Sequence, residues 1–75
     1  MLARLQSVFR EVFDDESLSI ERGTSASDIP EWDSLMHVTL IVNVEREFGV
    51  RFASSEIAGL QNVGELLDLI QRKSK

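Results

Sequence analysis

The stretch Glu31-Trp32-Asp33-Ser34-Leu35-Met36-His37-Val38-Thr39-Leu40-Ile41 is where this chain changes character. Turn-forming residues precede it, and beyond it apolar residues recur at helical spacing. Leu35, Val38, Ile41, Val42, Val44 and Phe48 form a broad apolar face that Leu40 widens, which predicts a helix over 34–48. Thr39, Asn43, Glu45, Arg46 and Glu47 are expected to face outward. Several β-branched residues lower the intrinsic helix preference, so packing must hold this helix. Gly49 is suited to end it in the left-handed conformation. Ser34 then sits at the helix start with its hydroxyl on the surface, and Leu35 is expected to anchor that start in the core.

On the N-terminal side, residues 14–33 break the helical pattern. Gly23-Thr24-Ser25-Ala26-Ser27-Asp28 has turn composition, and Pro30 biases Ile29 away from helix. A connection of this length in a small domain is functional, disordered or packed on the core, and Leu18, Ile20, Ile29 and Trp32 are available to pin it down. The acidic run Asp14-Asp15-Glu16 lacks the alternating oxygen ligands and central glycine of a calcium loop, and reads as a solvated helix end. Before it, Leu2, Leu5, Val8, Phe9, Val12 and Phe13 mark one core-facing stripe of a helix over 2–13.

On the C-terminal side, Val50–Ala53 is a short extended link with Phe52 expected to enter the core. Residues 54–60 read as one or two helical turns with a serine cap and a stop at Gly59. Asn62 and Glu65 have the spacing of a capping box ahead of a last helix, whose core stripe is Val63, Leu66, Leu67 and Ile70. Arg72, Lys73 and Lys75 complement the negative end of its dipole. The expected architecture is all-α: a small four-helix bundle of three long helices and one short one, in one domain over 1–75.

Composition narrows the function. A chain of 75 residues buries only about 60–65% of its unfolded surface, which leaves little room for a catalytic cleft. It has no cysteine and one histidine, so no metal site is expected. With a net charge of −5 it is a poor ligand for nucleic acid, whose affinity comes from Lys and Arg on phosphates. An acidic surface instead suits partners with basic patches. No run is apolar and long enough for a signal peptide or a membrane span, and the protein is expected to be cytoplasmic and monomeric.

A serine at a helix start has two readings. It is often simply the N-cap. It is also a good place for a phosphodiester, because unsatisfied backbone N–H groups and the helix dipole favour negative charge there. The triplet Asp33-Ser34-Leu35, the long preceding loop, the run Glu45-Arg46-Glu47-Phe48-Gly49-Val50 and the opening Val63-Gly64-Glu65-Leu66-Leu67 together resemble the acyl carrier protein family over nearly the whole chain. The resemblance implies that Ser34 carries a phosphopantetheine arm, transferred from coenzyme A by a magnesium-dependent phosphopantetheinyl transferase. It implies that acyl, aminoacyl or polyketide intermediates ride on the arm as thioesters, exchanged with loading ligases and synthases. It also implies recognition positions at Asp33, Leu35, Met36, Thr39 and Glu45, and an acyl pocket from Val38, Ile41, Val42, Ile57 and Leu60.

The departures are informative. Many fatty-acid carriers have an aspartate after the leucine and a glutamate three positions later; this chain has Met36 and Thr39, and Asn43 is neutral as well. A specialised carrier is therefore expected rather than the housekeeping fatty-acid one. Competing readings are an unmodified helical interaction domain with Ser34 as a plain cap, and a small hydrolase using Ser34 and His37. The latter needs an orienting third group and an oxyanion hole, and neither is evident. His37 is thus read as a solvated surface residue or a contact for the arm or a partner. Trp32 is expected to pack against the helix start or to flank the arm.

Overall fold

Among the described residues four helices follow one another, with one 3-10 turn between the first two. The computed structural model describes residues 1–74, and the dipole role expected of Lys75 lies outside the described residues. The elements are α1 (Leu2–Val12), the 3-10 turn Ala26–Asp28, α2 (Ser34–Phe48), α3 (Ser54–Ala58) and α4 (Val63–Lys73). Three are long and one short, as expected. The radius of gyration is 11.2 Å, close to the roughly 11 Å of a folded chain this long.

Among the described residues the core is a cluster fed by α1, α2, α4 and the long loop, with Ile57 of α3 packed against its edge. Leu5, Val8 and Phe9 come from α1, Leu40, Ile41 and Val44 from α2, and Val63, Leu66, Leu67 and Ile70 from α4. Leu2, read as part of the α1 stripe, is exposed instead, because it lies in the first turn beyond the edge of the bundle. Arg4 donates to the Glu47 carboxylate at 2.7 Å and to its carbonyl at 2.6 Å, while its guanidinium lies 4.7 Å above the Phe48 ring. Near the other end of α1, the Phe9 ring meets Trp32 edge-on at 5.3 Å. The start of α1 thus lies beside the end of α2, and the two helices run antiparallel.

The long connection is packed on the core. Ile20, Ile29 and Trp32 are buried and Leu18 is half-buried. The Ile20 N–H donates to the Gln6 side chain at 2.9 Å, and Arg10 Nε donates to the Leu18 carbonyl at 2.6 Å, so α1 holds the loop by polar contacts too. The loop in turn caps α4. Val63 and Gly64, the first two residues of that helix, donate to the carbonyls of Thr24 and Arg22 at 2.8 and 2.7 Å. Asn62 Oδ1 accepts from the Glu65 N–H at 2.9 Å, so three otherwise orphaned amides are satisfied. Glu65 reaches back to the Gln61 N–H at 2.6 Å rather than to that of Asn62, one residue away from the box expected. A Cβ on Gly64 would meet the Arg22 carbonyl at 3.0 Å, which is why this position is glycine.

Helix α2 departs from expectation in its phase. Leu35 is 77% exposed, Val38 59% and Val42 46%, so none of the three is core, and Leu35 does not anchor the helix start. Successive residues step roughly 100° around a helix axis. His37, Leu40, Ile41, Val44 and Phe48 fall on one side, and Leu35, Val38 and Val42 on the other. The sequence carries two stripes of helical period, and the inward one begins with a histidine that an apolar count passes over. Gly49 ends the helix with φ 67°, the left-handed cap expected. Glu45, expected to face outward, is half-buried and accepts the Phe52 N–H at 2.8 Å, which folds the α2–α3 link back on α2.

Candidate functional site

Helix α2 begins one residue earlier than a serine cap at Ser34 would require. Asp33 is the N-cap: its Oδ1 accepts the Met36 N–H at 2.8 Å, and its own carbonyl accepts the His37 N–H at 2.8 Å. Ser34 is the first helical residue and is exposed. The capping role that competed for Ser34 thus belongs to its neighbour. Of the first three amides of α2, Met36 is taken by the cap, while Ser34 and Leu35 have no acceptor within the helix. The hydroxyl stands at the positive end of the dipole.

Beside Ser34 lies a groove of about 370 Å³ lined by Ala26, Trp32, Asp33, Ser34, His37, Ile57, Ala58, Leu60 and Gln61. Of the residues expected to form an acyl pocket, Ile57 and Leu60 line this groove. Ile41 is sealed in the core, and Val38 and Val42 are exposed on the opposite side of α2. Among the positions expected to face partners, Leu35 and Thr39 are exposed, Met36 is half-buried, and Glu45 is bound to the Phe52 N–H. Ala26, Ala58 and Gln61 carried no sequence signal: two are small residues and one is polar, and they meet only because the loop and α3 converge.

His37 is not the solvated residue expected. It is half-buried, its Nδ1 accepts the Trp32 indole N–H at 3.0 Å, and the two rings stack at 6.0 Å. An Nδ1 that accepts is unprotonated, so the ring proton is on Nε2, which donates to the Ile57 carbonyl at 3.3 Å. Both nitrogens are engaged away from Ser34, and the serine–histidine pair needed for hydrolysis is not formed. Trp32 packs beside the helix start, the first of its two expected roles. It is 8% exposed, packed on Phe9, and its remaining edge forms part of the groove.

Helix α3 has two anchors besides His37. Its N-cap is Ala53 rather than a serine, and the cap N–H is bonded by Glu56 Oε1 at 2.7 Å. Glu56 also pairs with Lys73 of α4 at 3.0 Å. The Ala53 hydrogen bond, and then Lys73, hold the Glu56 carboxyl below the usual glutamate range.

A small helical bundle with an exposed helix-start hydroxyl and a groove beside it has the form of a carrier domain. The comparisons with known proteins agree. The model of the family described as "Phosphopantetheine attachment site" matches residues 3–70. The chain is 31% identical over 70 residues to an acyl carrier protein of Renibacterium salmoninarum, spanning 93% of this chain and 86% of that one. It is also 31% identical over 72 residues to a meromycolate extension acyl carrier protein of Mycolicibacterium smegmatis, spanning 96% of this chain and 73% of that one. A solution structure of a holo acyl carrier protein from Geobacter metallireducens superposes with a TM-score of 0.89 at 49% identity, covering 96% of this chain and 83% of that one. The chain belongs to the acyl carrier protein family, whose members bear a covalently attached phosphopantetheine group and carry rather than transform their cargo. No helix among the described residues is long and apolar enough to cross a membrane.

Proposed function

We propose that Ser34 is the point at which the phosphopantetheine arm is attached, and that the protein serves a specialised acyl, aminoacyl or polyketide pathway. The observation that carries the first part is the register of α2. Because Asp33 takes the cap, the Ser34 hydroxyl is free at the helix tip, next to amides suited to a phosphodiester. The residues present fit the group: Ser34 holds it, the amides of Ser34 and Leu35 face its negative charge, and Trp32, Ile57 and Leu60 offer the arm an apolar wall. When bound, the arm supplies a thiol that carries cargo as a thioester. A transferase, a loading ligase and synthases are the partner classes this implies, meeting the carrier as a cytoplasmic monomer.

The specialised role is supported by the exposed face of α2. Leu35, Val38, Thr39 and Val42 line it, Arg46 lies beyond them, and no acid is among them. Partners that read a carrier through basic patches would find little here to pair with.

The attachment is tested by incubating the protein with coenzyme A, magnesium and a broad-specificity phosphopantetheinyl transferase, followed by intact mass. The wild type gains one phosphopantetheine, and Ser34→Ala gains none. A wild type that stays unmodified while a control carrier is converted would refute the assignment.

A further inference from the structure

We propose that His37 is a positioning residue that latches α3 to the start of α2 and so shapes the groove in which a group tethered near Ser34 is sheltered. The shelter half rests on the attachment at Ser34 argued above; the latch half does not. Helix α3 is only five residues long, too short to be stable alone. At its start Glu56 and Lys73 hold it to the chain before it and to α4. Near its end, the Ile57 carbonyl is held by His37 Nε2–H. The imidazole is aimed by the Trp32 indole N–H at its other nitrogen, and Trp32 is in turn fixed by Phe9 in the core. One line of contacts thus runs from α1 through the loop and α2 to α3. Three of its members, Trp32, His37 and Ile57, line the groove that Ser34 borders.

The indole N–H of Trp32 is accepted by a bare Nδ1, which leaves the ring hydrogen on Nε2 and aims it at the Ile57 carbonyl.

The test begins on the apo protein with amide hydrogen exchange, using α4 as internal reference. His37→Gln keeps an amide N–H near the place of Nε2, and His37→Asn keeps an oxygen near the place of Nδ1. Loss of the bond to Ile57 speeds exchange in α3 roughly fivefold in His37→Ala and His37→Asn, with α4 unchanged, while His37→Gln stays near the wild type. His37→Leu fills the site without a donor, so a role in packing alone would leave it near the wild type, and equal α3 exchange in all five proteins would overturn the latch.

The same proteins, loaded from butyryl-coenzyme A, are then treated with hydroxylamine. Its nitrogen attacks the thioester carbonyl, the C–S bond breaks, and the arm leaves as its thiol. Cleavage is faster in His37→Ala by roughly the same factor as exchange in α3, and His37→Gln restores it. Faster exchange with unchanged cleavage would overturn the shelter role. Failure of the wild type to load at all would count against Ser34 as the attachment point, and the exchange result would still decide the latch.

Discussion

Asp14 occupies a conformation that its side chain disfavours. Its φ is 50°, just past the end of α1, and the Asp15 N–H closes back on the Arg10 carbonyl at 3.0 Å. This is the left-handed cap that Gly49 supplies for α2, here built from a non-glycine residue. Removing the Cβ should stabilise the fold: Asp14→Gly raises unfolding free energy by about 0.5–1 kcal/mol, read from the urea midpoint at unchanged slope. At the same scale, one residue of register decides the site. Asp33 and Ser34 are both good caps, and a sequence does not rank them. Asp33 Oδ1 is the one that meets the Met36 N–H. Asp33→Ala should cost about 1 kcal/mol in the same denaturation while leaving the Ser34 hydroxyl in place.

Among the elements, α3 shows what a five-residue helix needs. Its start depends on an ionised Glu56, whose carboxyl is held below the usual range by the Ala53 N–H and by Lys73. A carboxyl lowered in the folded state adds stability that is present above its unfolded pKa and lost as pH falls through the folded one. The wild type is therefore more stable than Glu56→Gln at pH 7, and their melting temperatures converge as the pH falls through the lowered pKa of the folded state. A gap that persisted in acid would mean that Glu56 acts through packing. Helix α2 shows where periodicity misleads. Its extent and its cap at Gly49 were readable, because both follow from local residue types. Its phase was not, because Leu35-Val38-Val42 and Leu40-Ile41-Val44 are equally apolar stripes. The choice between them fell to contacts made by other segments: Phe9 through Trp32 to His37 on one side of the helix, solvent on the other.

Over the whole molecule, charge and apolar surface are separated. The chain carries 13 acidic and 8 basic residues, yet the exposed front of α2 has Leu35, Val38 and Val42 and no acid. Attraction between exposed charges weakens steeply with salt, and burial of apolar area does not. Binding to a ketosynthase of a housekeeping fatty-acid system, measured from low to high salt, should be weak and nearly flat. Tight binding that collapses with salt would contradict the specialised role.

The sequence by itself determined the helices, their approximate extents, most of the core and the family, because glycines and periodic apolar residues act within a few positions of one another. Tertiary structure alone decided which stripe of α2 turns inward, that the loop caps α4 through the Thr24 and Arg22 carbonyls, and that His37 joins Trp32 to Ile57. Those contacts link residues far apart in the chain or on different elements, and no local pattern encodes a partner that only folding brings near.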